Sequence, residues 1–204
     1  MKLPRRSFLQ SALIGLGNVG LFGRTGRLWA LAQAGQNRGA LASGCVFFNA
    51  SQARTLEAMC DQIIPPDDAP GGKAAGTLYF IDRALALWEP ESRWDYVAGL
   101  EGVDESSQVL FQARFADLKW EQQTQVLQAL EQGTAPGRVW SNFRVGRGPV
   151  GPYPTGETAG NAARAFFGVV VRHAMQGYYG HPKYGGNRDG ASWKMLNYVG
   201  ARHL

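Results

Sequence analysis

Apolar positions along the chain recur mainly at three- and four-residue spacing, the period of an amphipathic helix. In "SQARTLEAMCDQIIPP", Leu56, Met59, Cys60, Ile63 and Ile64 share one face, Ser51 stands at the N-cap, and Pro65-Pro66 stops the helix. "GTLYFIDRALALW" places Leu78, Ile81, Leu85 and Trp88 together, and two further helices fit "SSQVLFQARFADL" and "KWEQQTQVLQALEQG". The strongest pattern is "TAGNAARAFFGVVVRHAMQGYY", where Ala162, Phe166, Val170 and Ala174 line one side. No alternating strand pattern of similar quality occurs. The fold class expected is therefore mainly α, a compact bundle of about five helices.

Two regions break the helical period. Residues 133–160 are rich in Gly and Pro and read as a long loop, which in a compact domain is usually functional or disordered. From Gly177 the chain reads "GYYGHPKYGGNRDGASWKMLNYVGARHL", alternating glycines with large aromatics. Disordered tails lack such residues, so this segment is expected to be ordered against its own helices or another protein.

The first residues follow a different logic. "MKLPRRSFLQ" is basic, Ser11 to Gly23 carry no charge, and small residues follow at Ala30, Ala32 and Ala34, the layout of a cleavable export signal. Arg5, Arg6, Phe8 and Leu9 fit the twin-arginine pattern, with Pro4 and Gln10 departing from it. "GLGNVG" inside this run has the spacing of a dinucleotide-binding turn. It lacks an acidic partner, however, because no Asp or Glu precedes Glu57. Arg24 and Arg27 interrupt the run well short of the about 20 residues a membrane span needs. The expected division is a signal over 1–34, a linker over 35–50 and one helical domain over 51–204.

Charge supports that division. The formal net charge is +5, and Lys2, Arg5, Arg6, Arg24 and Arg27 account for all of it. The remaining chain is formally neutral, so its high pI is no nucleic-acid footprint.

Candidate chemistry is sparse. There is no Cys-x-x-Cys-His haem motif and no Walker loop. His173 shares a stripe with Phe166 and Val170 and reads as a partly buried structural residue, and His181 before Pro182 reads as a turn-fixing one. Asp67 and Asp68 lie between prolines without the further oxygen ligands of a calcium loop, so turn hydrogen bonds are expected of them. Cys45 and Cys60 would be exported to an oxidising compartment, where a bridge between them, a buried thiol at Cys60 and pairing of Cys45 with another chain all stay open.

"IIPPDDAPGG", "AAG" at 74–76 and "FID" at 80–82 resemble the signature of the gluconate 2-dehydrogenase subunit 3 family. The tail, with its Tyr184-Gly185-Gly186-Asn187 block, Trp193 and a closing Tyr-x-Gly, resembles that family's C-terminal pattern. The resemblance implies a subunit with no catalytic residues and no cofactor of its own. Such subunits bind a large FAD-dependent flavoprotein of the glucose-methanol-choline family, which oxidises a sugar or sugar acid, while a cytochrome c subunit with haem c passes electrons on. It further implies a periplasmic site, membrane association through those partners, and export of the folded flavoprotein by the twin-arginine translocase. Tyr179, Tyr184, Gly185, Gly186, Asn187, Asp189, Trp193 and Tyr198 form the candidate partner interface. The alternatives are a self-sufficient periplasmic oxidoreductase and a partnerless envelope binding protein.

Overall fold

The computed structural model describes residues 40–142 and 159–198. The export-signal residues Arg5, Arg6, Phe8 and Leu9 and most of the Gly/Pro stretch lie outside the described residues. Within them the chain is mainly helical, with seven α-helices and no strand beyond an isolated bridge between Leu41 and Asn49. These are α1 (Ala50–Ile63), α2 (Thr77–Leu87), α3 (Arg93–Phe111), α4 (Trp120–Gln132), α5 (Arg138–Asn142), α6 (Ala159–Tyr179) and α7 (Ala191–Met195). Five are long and two are single short turns of helix.

α6 is the central helix, packing against every other one. Its apolar stripe is what places it there: Ala163, Phe166, Val170 and Ala174 are fully buried. They meet Leu56 and Met59 of α1, Ile81 and Leu85 of α2, Tyr96 and Val103 of α3, and Val126 and Leu130 of α4 in one core.

The start of α1 differs from the expected one. Asn49, not Ser51, is the N-cap: its side chain accepts from Gln52 N at 2.9 Å, and the Gln52 side chain accepts from Asn49 N at 3.2 Å. This reciprocal box satisfies two amides that the helix itself leaves unpaired. α1 ends before the two prolines, and the chain then folds back so closely that a Cβ on Gly72 would lie 2.3 Å from Cys60 O. The "APGG" glycines are thus required by packing over the end of α1.

The stretch before α1 is folded from Ala42 onward. Asp82 on α2, fully buried, accepts the backbone N–H groups of Val46 (2.7 Å), Phe47 (3.0 Å) and Phe48 (2.9 Å). Phe48 is driven into the core beside it, contacting Tyr96 edge-on.

α3 begins at Arg93, well before the helix expected at Ser106, and Phe115–Asp117 beyond it is a 3-10 turn. Its buried face mixes Tyr96, Leu100 and Val103 with small and polar residues, Gly99, Gly102, Asp95, Ser106 and Ser107, which interrupt the apolar period. Part of the expected loop is also helical. α5 is pinned to α3 by Trp140, whose Nε1 donates to Ser106 Oγ at 2.9 Å, and by Val139 N donating to Glu105 at 2.9 Å.

Candidate functional site

The tail after α6 folds back on the body through one buried side chain. Asn187, fully buried and at φ 48°, donates from Nδ2 to Gly180 O (2.9 Å) and accepts from Ser192 N (3.0 Å). Its amide thus ties the end of α6 to the start of α7, and a short polar side chain tolerates the left-handed backbone there. Gly186 cannot carry a side chain, since a Cβ would lie 2.1 Å from Gly177 O. Gly185 adopts φ 108°, a conformation that suits glycine.

The tail also reaches the "PPDDAPGG" turn. Arg188 N donates to Ala75 O at 2.9 Å, and the Tyr178 hydroxyl donates to Pro70 O at 2.8 Å. The two sequence stretches that carry the family resemblance therefore meet in space. Between them lies an open cleft of about 610 Å³, with Asp67, Asp68 and Asp189 set among Arg188, Lys194 and Met195. Asp67 accepts from Ala69 N at 2.8 Å, the turn hydrogen bond expected of it.

The tail's aromatics split into two groups. Trp193, half-buried, donates from Nε1 to Tyr179 O (2.9 Å) and meets Tyr198 and His181 edge-on at 5.1 and 5.2 Å. His181 accepts from Lys183 N at 3.2 Å and so holds the turn. Tyr184 instead joins Trp88 at the end of α2, ring centroids 5.8 Å apart. Of the candidate interface residues, Gly186 and Asn187 are buried, Gly185 and Trp193 are half-buried, and Tyr179, Tyr184, Asp189 and Tyr198 are exposed.

Elsewhere the reactive side chains are engaged in structural contacts. His173 is fully buried, its Nδ1 2.8 Å from the Tyr96 hydroxyl and its Nε2 3.1 Å from both Glu89 and Arg172. Burial, with the Arg172 charge adding to it, lowers its pKa to about 4, so the ring is neutral at pH 7. The sequence spacing gave no hint of Glu89 or Tyr96, because both come from distant turns of the fold. Cys45 and Cys60 are buried free thiols. Burial, with a smaller contribution from Asp82, pushes Cys45 up to about 12, and burial likewise raises Cys60. No grouping of three or more His, Cys, Asp or Glu fit to hold a metal occurs among the described residues.

The described helical scaffold ties His173, Asp82 and Asp67 into internal hydrogen bonds and turns Tyr179, Tyr184, Asp189 and Tyr198 outward. The sequence matches the family described as gluconate 2-dehydrogenase subunit 3 over residues 50–200, and the chain belongs to that family. It is thereby an accessory subunit of a dehydrogenase complex. No curated protein and no solved structure matches it.

Proposed function

We propose that the chain is the non-catalytic small subunit of a periplasmic dehydrogenase complex. It binds a large FAD-dependent flavoprotein of the glucose-methanol-choline family and escorts it through the twin-arginine translocase. The flavoprotein oxidises gluconate or a related sugar or sugar acid, and a cytochrome c subunit carries the electrons onward and holds the complex at the membrane. The observation that carries this reading is the family match across both the "PPDDAPGG" turn and the aromatic tail. The twin-arginine pattern at Arg5 and Arg6 adds the escort role, because that route accepts folded, cofactor-loaded cargo. Exposed Tyr179, Tyr184, Asp189 and Tyr198 are the tail residues offered to the partner.

The test replaces both arginines with lysine (Arg5→Lys, Arg6→Lys) in cells co-expressing the large subunit, and locates the flavoprotein by fractionation. Retention in the cytoplasm is the expected result. Unimpaired export of the flavoprotein overturns the escort role.

A further inference from the structure

The corner where α2 ends against the tail carries apolar and cationic side chains that stay largely exposed. Leu87 is 71% exposed, and Trp88 and Tyr184 are 42% and 44% exposed. Both aromatic rings are nonetheless fixed: Trp88 stands edge-on between Phe80 at 6.0 Å and Tyr184 at 5.8 Å. Two cations border them. Lys183 Nζ lies 4.9 Å from the Tyr184 ring, and the Arg83 guanidinium covers Gly185, where a Cβ would stand 2.9 Å from Nη1. Neither forms an ion pair among the described residues. The nearest acids along α2 and its end are engaged elsewhere, Asp82 on the backbone of Val46 to Phe48 and Glu89 at His173.

We infer that Arg83, Leu87, Trp88, Lys183 and Tyr184 form the face that docks on an acidic surface of the large flavoprotein subunit. This rests on the reading of the chain as the small subunit of such a complex. Trp, Tyr and Arg are the side chains that dominate binding energy at protein interfaces, and rings already held by their neighbours lose little entropy on docking. Unpaired cations beside them select an acidic partner and steer its approach. A bilayer is the poorer fit. Interfacial anchoring needs a continuous apolar stripe along a helix, whereas α2 turns Leu78, Ile81 and Leu85 inward and offers Leu87 alone outward, with Arg83 one turn before it.

The test co-expresses the full tagged chain with the large subunit and measures co-purified flavoprotein by its flavin absorbance. Three chains are compared: wild type, Arg83→Glu/Lys183→Glu, and Arg138→Gln, a control at a side chain that is 98% exposed and meets Glu105 only at 4.0 Å. The charge reversal is expected to cut recovery at least about tenfold while the control matches wild type. Arg83→Gln/Lys183→Gln, with an unchanged thermal midpoint, gives the same reading should the reversal disturb folding. Wild-type recovery by the folded variants overturns the docking face. So does loss of binding to phosphatidylglycerol vesicles with flavoprotein recovery intact, which would assign the face to a membrane. Failure of the wild-type chain to recover any flavoprotein is a distinct outcome and overturns the small-subunit reading beneath it.

Discussion

The hydroxyl of Tyr96 on α3 lies 2.8 Å from Nδ1 of His173 on α6, and both side chains are fully buried. With that hydroxyl donating to Nδ1, Nε2 keeps its proton and points it at Glu89, 3.1 Å away, so the neutral ring is satisfied at both nitrogens. A protonated ring would have to stay buried beside Arg172. Because the folded pKa is about 4, below the unfolded value of 6.5, the unfolded chain binds more protons between those two pH values. Stability is therefore complete above about pH 6.5 and is lost as pH falls towards 4, by up to roughly 3 kcal/mol. Urea titrations of wild type and His173→Gln across that range check this, with the variant expected to show the shallower pH dependence. An equal slope in both assigns the acid sensitivity to other groups.

Two helical glycines should respond to alanine in opposite directions. A Cβ on Gly99 of α3 would stand 2.3 Å from the Phe166 ring, whereas a Cβ on Gly168 of α6 meets nothing within 4 Å. Gly99→Ala is expected to destabilise by about 1–3 kcal/mol through overpacking. Gly168→Ala is expected to stabilise by about 0.5–1 kcal/mol, since alanine loses less backbone entropy in a helix. Chemical denaturation of the two variants gives both signs, and a destabilising Gly168→Ala would contradict the open space seen beside it.

The same glycines explain what the sequence could and could not reveal. α1, α2, α4 and α6 bury branched and aromatic side chains at helical spacing, and their positions follow from that spacing. α3 buries Gly99 and Gly102 so that Phe166 and Trp140 can approach its backbone, it buries Ser106 and Ser107 in hydrogen bonds, and it buries Asp95 as well. The large apolar residues that α3 does bury, Tyr96, Leu100 and Val103, form only a short stripe broken by these glycines and polar side chains. The tail's order was legible from its aromatics. The division within it was not, because burial of Asn187 and exposure of Tyr184 depend on where Gly180, Ser192 and Trp88 lie in space. The same holds for the meeting of Trp88 with Tyr184, which joins residues far apart in the chain.

Cys45 and Cys60 should remain thiols. Both are buried, and burial holds both pKa values well above the ordinary thiol range, so neither supplies thiolate at neutral pH. In the native protein neither should react with a water-soluble disulfide reagent at pH 8. After denaturation without reductant, two free thiols per chain should be counted. A count of zero would show the bridge that the sequence left open.

Asn187 is the residue on which the tail's conformation turns. Its amide supplies the one link between Gly180 O and Ser192 N, and it does so from a backbone at φ 48°. Asn187→Ala leaves a buried carbonyl and a buried N–H unpaired, and it places an alanine where asparagine tolerates the left-handed region better. The expected cost is about 2–4 kcal/mol, concentrated after α6. Because α7 and the 3-10 turns at Pro182–Tyr184 and Arg188–Gly190 flank this amide, the loss should appear first as local opening. Hydrogen exchange should speed up at Arg188, Gly190 and Ser192, whose amides donate to Ala75 O, Asn187 O and Asn187 Oδ1, while amides in the middle of α6 stay protected. Asn187→Gly separates the two causes, since glycine relieves the backbone strain but not the lost hydrogen bonds. If the hydrogen bonds dominate, it should behave almost like the alanine variant; protection near the wild-type level would show that backbone conformation, not the amide link, holds the tail in place.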